Sequence, residues 1–343
     1  MKSRGLALIL GAILCGAGAR AQDVAAAGAR LHAAVEANSL DQAGMVPWHL
    51  KMDVQLFDAK GKPGEQGTIE EWWGGPALRR VTFSLPSYTG TQLQNNEGAF
   101  VTKGQTFEPG ILDDLLNTVV HPISHEEDID AAKPELRKQK FGKVELECIM
   151  LDQPLKNVAF LPLGLFPTYC FDPGDTKLRV TNELGSLMFL RNRIGLFQGR
   201  SVAIDVMGES VEGIETISGH VTALSTMPLR EADFAAGPDM DTELQSATQV
   251  GSAVMAGKLL TRVDPIYPAS AKQNRIEGSV KLHAIIGRDG RIRSLKLLSA
   301  PDSSLAVSAI AAVRQWTYTP YVLNGAPTEV DTVVTINFTF GPG

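Results

Sequence analysis

From Thr328 to Phe340 the sequence alternates. Val330, Thr332, Val334, Ile336, Phe338 and Phe340 fall on one side of an extended chain, and Glu329, Asp331, Thr335, Asn337 and Thr339 on the other, with Val333 the exception. A period of two over so long a run fits a half-buried antiparallel strand covered by helices on one side. Asp264-Pro265-Ile266-Tyr267-Pro268 holds the chain extended, and Pro268 then opens a short helix through Arg275, stopped at Gly278. Ser279 to Ala284 alternates as a strand, Gly287-Arg288-Asp289-Gly290 reads as a hairpin turn, and Arg291 to Leu298 as a strand whose broken phase suggests a bulge. Asp302 or Ser303 caps a helix with Leu305, Ala309, Ala312, Val313 and Trp316 on one face. Asn324-Gly325 turns the chain into the last strand.

The ordered set Tyr267-Pro268, Glu277-Gly278, Asp289-Gly290, Ala311 to Trp316, Pro320 and Asn324-Gly325 resembles the C-terminal domain of the TonB energy-transducer family. The resemblance covers about residues 257–343. It implies docking and not chemistry: such domains take up an extended segment of an outer-membrane transporter beside the last strand, by strand addition. On that reading the partner-binding residues are Thr328, Val330, Thr332, Val334, Ile336 and Phe338. Domains of this kind also pair with themselves, so a homodimer stays open, as does whether this edge is free.

Met1 to Ala21 reads as a secretion signal, with Lys2 and Arg4 first, an apolar run from Leu6 to Leu14, and Ala19-Arg20-Ala21 before a cleavage point at Gln22. The expected location is therefore the periplasm. An uncleaved anchor is the rival reading, and Cys15 raises a lipoprotein reading that Leu14 opposes. Cleavage would take the formal charge from −6 to −9, which argues against a nucleic-acid partner. It would leave Cys148 and Cys170, both in strand-like stretches, and two cysteines of an exported chain most simply pair. Hydrophobic content of 44% and charged content of 20% suit a chain with a core.

Between these ends, Asp23 to Asn38 predicts an amphipathic helix, and His49 to Asp58 the first of many short strands separated by turn residues. Such spacing implies a large antiparallel sheet. A helix from Ile111 to Val120 interrupts it. The stretch from 233 to 256 loses periodicity and reads as a linker. The expected organisation is a signal at 1–21, a sheet domain at 22–232, a linker at 233–256 and a small domain at 257–343. The fold class is α+β: a large curved antiparallel sheet with helices, then a small α+β module. The starting helix, the Leu50–Leu56 strand, Glu70-Glu71-Trp72-Trp73 and the following meander more weakly resemble the LolA and LolB periplasmic lipoprotein carriers. That resemblance implies an apolar pocket lined by Trp72 or Trp73, but not both, since neighbours on a strand point oppositely. The plainer alternative is that both pack in the sheet.

His121 and His125 with Glu126, Glu127 and Asp128 form a metal-like cluster. Pro122 opposes the helix that would align the histidines, so a solvated acidic loop is the better reading and no metal is expected. The chain has no Gly-x-Ser-x-Gly elbow and no phosphate loop. No catalytic residue and no cofactor is expected. The sequence reading is a non-enzymatic periplasmic protein that docks an envelope or outer-membrane transport partner. A carrier of lipid or lipidated cargo, or a hydrolase with an unrecognised site, are the rivals.

Overall fold

The computed structural model describes residues 10–103, 110–151, 161–183, 186–210, 213–242, 247–323 and 325–340; for 10–22 and 326 it describes the backbone alone. Thirteen strands make one antiparallel sheet. They are β1 (Trp48–Phe57), β2 (Pro63–Gly75), β3 (Leu78–Ser84), β4 (Thr89–Asn95), β5 (Gly98–Thr102), β6 (Glu135–Phe141), β7 (Val144–Met150), β8 (Thr168–Phe171), β9 (Leu178–Asn182), β10 (Met188–Phe197), β11 (Arg200–Glu209), β12 (Glu215–Thr226) and β13 (Met240–Thr242). Their spatial order is β13-β5-β4-β3-β2-β1-β12-β11-β10-β9-β8-β7-β6. Two meanders, β1 to β5 and β6 to β12, are thus joined where β1 pairs with β12, from Trp48 opposite Thr226 to Leu56 opposite Ile217.

Helices α1 (Leu10–Asn38) and α2 (Gly110–Val120) cover one face of this sheet. Ala27, Leu31, Ala34 and Val35 of α1 pack with Ile149, Tyr169, Phe171 and Leu178. Leu112, Leu115, Leu116 and Val119 of α2 pack over Leu50, Met52, Ile69, Val81 and Phe83. Each such buried Val, Leu, Ile, Met or Phe contributes about 1.5–3 kcal/mol relative to exposure. Where α1 ends, Asn38 Nδ2 donates to Ala34 O and Thr176 O at 2.8 Å each, and its Oδ1 accepts from Arg191 Nη1 at 3.0 Å. Arg191 is buried and holds the carbonyls of Leu178 and Ser201 as well. Burial pulls its guanidinium down to about 9.

The small module follows: β14 (Thr248–Gln249), α3 (Ser252–Ala256), β15 (Leu259–Thr261), α4 (Ala269–Gln273), β16 (Gly278–Ile286), β17 (Ile292–Ser299), α5 (Ser303–Val313), β18 (Thr317–Tyr318), β19 (Val322–Leu323), β20 (Ala326–Pro327) and β21 (Val330–Phe338). Its main sheet has the order β14-β21-β16-β17. Asp302 caps α5, its Oδ1 accepting from Ser304 N at 2.8 Å. The helix lays Leu305, Ala309, Ile310 and Val313 on Val280, Leu282, Leu295 and Ile336. The expected irregularity in the hairpin appears as register shifts between Lys281 and Leu282 and between Ile285 and Ile286.

Three expectations need correction or limits. The linker read over 233–256 is taken up by both sheets: β13 pairs with β5, and β14 pairs in parallel with β21. Only residues 243–246 within it lie outside the described residues. Short polar segments are held there by backbone hydrogen bonds, which side-chain periodicity does not report. Strand β6, ELRKQKF, was not anticipated, because an edge strand rich in charge shows no alternation. The N-terminal helix begins at Leu10 and not at Asp23, so part of the expected signal lies within it. Residues 1–9 of that signal, and Asn324 of the last turn, lie outside the described residues. No helix among the described residues is long and apolar enough to cross a membrane.

The two parts pack on each other. Met150, Leu165 and Phe166 of the first join the core of the second. From β17, Arg293 Nη2 meets Asp113 at 3.2 Å and Lys296 Nζ meets Asp128 at 2.6 Å. Arg314 Nη1 donates to Ser186 O at 3.1 Å.

The expected disulfide is present. Cys148 and Cys170 face each other across β7 and β8 with Cα atoms 3.9 Å apart, closing a separation of 22 residues. A loop of that size is worth about 3 kcal/mol in the chain-entropy account. The Cys148→Ala/Cys170→Ala double variant is therefore expected to unfold at lower urea, with a stability loss near that figure. An unchanged midpoint would show that the bond adds nothing to the sheet.

Candidate functional site: the free edge of the last strand

Strand β21 pairs along its whole length with β16, from Gly278 opposite Phe338 to Ile286 opposite Val330. Within an antiparallel ladder a residue's N–H and C=O point to the same neighbour, and alternate residues point to opposite sides. The chain itself marks which half points away from β16. Thr248 N donates to Glu329 O at 2.8 Å, and Val250 N to Asp331 O at 3.0 Å. Odd-numbered residues therefore aim their backbone at the outer side. Thr332 Oγ1 closes this short cover by donating to Val250 O at 2.7 Å. Beyond it, in the same phase, come Val333, Thr335 and Asn337.

That stretch borders a groove of about 710 Å³. Met255, Leu259, Tyr267, Trp316 and Tyr318 line it together with β21 from Thr332 to Phe338. Its aromatic walls are fixed. Trp316 Nε1 donates to Val263 O at 2.8 Å, and Tyr267 Oη to Ile276 O at 2.6 Å. The Tyr267 ring stacks on Phe340 with centroids 5.2 Å apart and stands edge-on to Phe338 at 5.4 Å.

The six residues expected to meet a partner are placed differently. Thr328, Val330, Thr332, Val334, Ile336 and Phe338 are all buried. The side chains of Val330, Val334, Ile336 and Phe338 belong to the module's core, and by the same phase the backbones of Val330 to Phe338 at these positions face β16. The outward groups belong to their neighbours. Side-chain alternation had located the core face correctly, but the unpaired backbone falls on the other phase.

Trp73 is buried and stacks on Trp48 with centroids 5.9 Å apart, inside the core under α2. Trp72 lies on the opposite face, stacked on His49 at 4.7 Å with the Arg80 guanidinium 5.8 Å from its centroid. Glu71, on the same face as Trp73, is buried, and its Oε1 accepts from Arg79 Nε at 2.7 Å. Burial raises its carboxyl pKa despite the arginine beside it.

The histidines of the metal-like cluster go separate ways. His121 Nδ1 meets Asp41 at 3.0 Å and His125 Nε2 meets Glu183 at 3.3 Å. Asp41 raises the His121 pKa; at His125 burial works downward and Glu183 outweighs it, so that pKa is raised too. His125, Glu127 and Asp128 each bring one ligand atom within 4.8 Å of the others, but Asp128 already holds the Lys296 ammonium. The remaining histidines also stand beside carboxylates: His32 by Asp130, His49 by Glu70, His220 by Asp205 and His283 by Asp331.

Residues 263–340 match the family described as Gram-negative bacterial TonB protein C-terminal. Protein TonB of Klebsiella pneumoniae is 35% identical over 78 residues, 22% of this chain and 32% of that protein. Protein TonB of Escherichia coli K12 is 36% identical over 72 residues, 21% of this chain and 30% of that protein. The chain thus spans about a third of the length of these relatives. Among solved structures, a LolA superfamily protein of Nitrosomonas europaea aligns over 60% of this chain and 97% of its own, at 9% identity and a TM-score of 0.40. A putative outer membrane lipoprotein-sorting protein domain of Vibrio parahaemolyticus aligns over 63% and 97%, at 10% identity and 0.38.

One glycine of the matched stretch holds a groove wall. Gly290 has φ +80°, and its carbonyl accepts from Tyr318 N at 2.8 Å. A Cβ there would stand 1.9 Å from Tyr318 O. Gly290→Ala combines a left-handed backbone with a clash against backbone. It is expected to destabilise by more than about 1 kcal/mol, read by urea unfolding. A substitution here that leaves stability unchanged would mean that β18 sits elsewhere.

Proposed function

We propose that this chain is a non-enzymatic, envelope-associated docking protein of the periplasm. Its C-terminal module takes up an extended segment of a transport partner as an added strand beside β21, and the large sheet domain provides a second surface. The observation that carries this reading is the outer side of β21 from Val333 to Asn337, bordering the groove of about 710 Å³. Backbone pairing would supply affinity, and the aromatic floor pockets for alternate side chains. The resemblance of residues 263–340 to TonB C-terminal domains supports the same mode and suggests a segment of an outer-membrane transporter as the guest.

The arrangement suits docking better than energy transduction. The module follows the large sheet after only a few residues and is clamped to it by Arg293–Asp113 and Lys296–Asp128. A cargo-carrying first domain draws little support from an interior where α2, Trp48 and Trp73 are packed together.

Thr335→Pro is the direct test. It deletes one outward N–H while leaving the β16 ladder intact, as proline on an edge strand allows. Against peptides copied from extended segments of outer-membrane transporters, this variant is expected to bind about tenfold or more weakly, and Thr335→Ala like the parent. Fluorescence anisotropy reads both. A folded Thr335→Pro variant that binds as the parent does would remove strand addition from the account.

A further inference from the structure

A second recess lies between the two parts of the molecule, with a volume of about 240 Å³. Helix α2, the segment after it, β8 and β9 make most of its wall, and Arg293 and Ser294 of β17 close the remaining side. Its lining is mainly polar, with Asn117, Thr118, His121, Thr168 and Asn182 among the groups facing it, and domain boundaries are a usual place for small-ligand sites. Its charges are unevenly matched. Arg293 is taken by Glu329 at 2.7 Å and Asp113 at 3.2 Å, and Glu183 is taken by His125 at 3.3 Å. Asp114 is solvent-accessible and lines the cleft, and among the described residues its carboxylate makes neither an ion pair nor a hydrogen bond; only its backbone carbonyl is used, by Thr118 Oγ1 at 2.8 Å. At the inner end Tyr169 is buried, and its hydroxyl, with Ser124 and the His125 amide as neighbours, makes no well-formed hydrogen bond. Pro122, Pro167, Leu187 and Phe189 supply apolar wall between these polar groups.

We propose that this cleft binds a small organic ammonium compound, with its charged head on Asp114 and a short apolar body against Pro122, Pro167, Leu187 and Phe189. The volume equals that of about eight waters at ~30 Å³ each. An accessible carboxylate without a partner is the complement of an ammonium donor, and the hydrogen bond between them is charge-assisted. The crowded walls push the Asp114 carboxyl up to about 6; Arg293 and Arg314 pull it down, and Asp113 and Glu183 push it further up. Protonation there removes the charge that holds the head, so affinity falls as pH drops through that value.

The test uses n-pentylamine, n-pentanol and hexanoate, which share one pentyl body and differ in the head, titrated calorimetrically into the full chain. Saturable binding of the amine alone is expected. It should weaken about tenfold between pH 7.5 and pH 5, from the Asp114 titration. His121 and His125 gain protons over part of the same range and would add to the loss, so the Asp114→Asn variant sets the baseline. That variant should bind the amine at least about tenfold more weakly, with an unfolding midpoint at pH 7.5 no lower than the parent's, because a carboxyl whose pKa is raised on folding costs stability in its charged form. Asn117→Lys, one turn along α2, would place a resident ammonium near Asp114 and should abolish binding by another route. Phosphatidylethanolamine vesicles carry the same head on a lipid and should not displace the amine. Equal binding of amine and alcohol, no loss in both variants, or displacement by the vesicles would each overturn the assignment.

Discussion

The ladder between β16 and β21 decides which half of the last strand's backbone is left over. Nine residue pairs hold the two strands in one register. A slip by one would exchange the core face for the solvent face. With Val334, Ile336 and Phe338 committed to the core, the groups aimed outward can only be those of their odd-numbered neighbours. The groove, the aromatic wall and the cover at Glu329 to Thr332 all take their meaning from that phase.

The edges of the two sheets are treated differently. The large sheet ends in β13, only three residues long, and in β6, which carries Glu135, Arg137, Lys138 and Lys140. Short length and charge are the usual ways of keeping a foreign strand away. Past the cover, β21 offers Val333, Thr335 and Asn337 with no charge among them. The contrast within one molecule sets this margin apart from the guarded ends of the large sheet.

Much of this was legible in the residues. The large antiparallel sheet followed from short strands with turn signals, the disulfide from export and two strand-like cysteine stretches, and the C-terminal module from an ordered set of dipeptides. What escaped was held by backbone and not by side chains. Strand β6 has no apolar face to announce it, and β13 and β14 are short polar segments that gain order only by pairing with β5 and β21. The six residues read as partner-binding lie on the core face, because hydrophobic alternation reports where side chains go and the outward backbone groups sit on the other phase. The cleft around Asp114 draws on α2, β8, β9 and β17, and no linear pattern joins segments so far apart.

The outer side of β21 also limits what copies of this chain can do to each other. If two molecules met along β21 in a concentrated solution, each would use up the same margin, and the pair would be closed by a two-fold axis. Growth into a polymer needs a second receptive edge on every unit. Among the described residues the large sheet ends in a short strand and a charged one, and the far edge of the small sheet, β17, is tied to the first part through Arg293 and Lys296, so crowding would favour pairs over fibres.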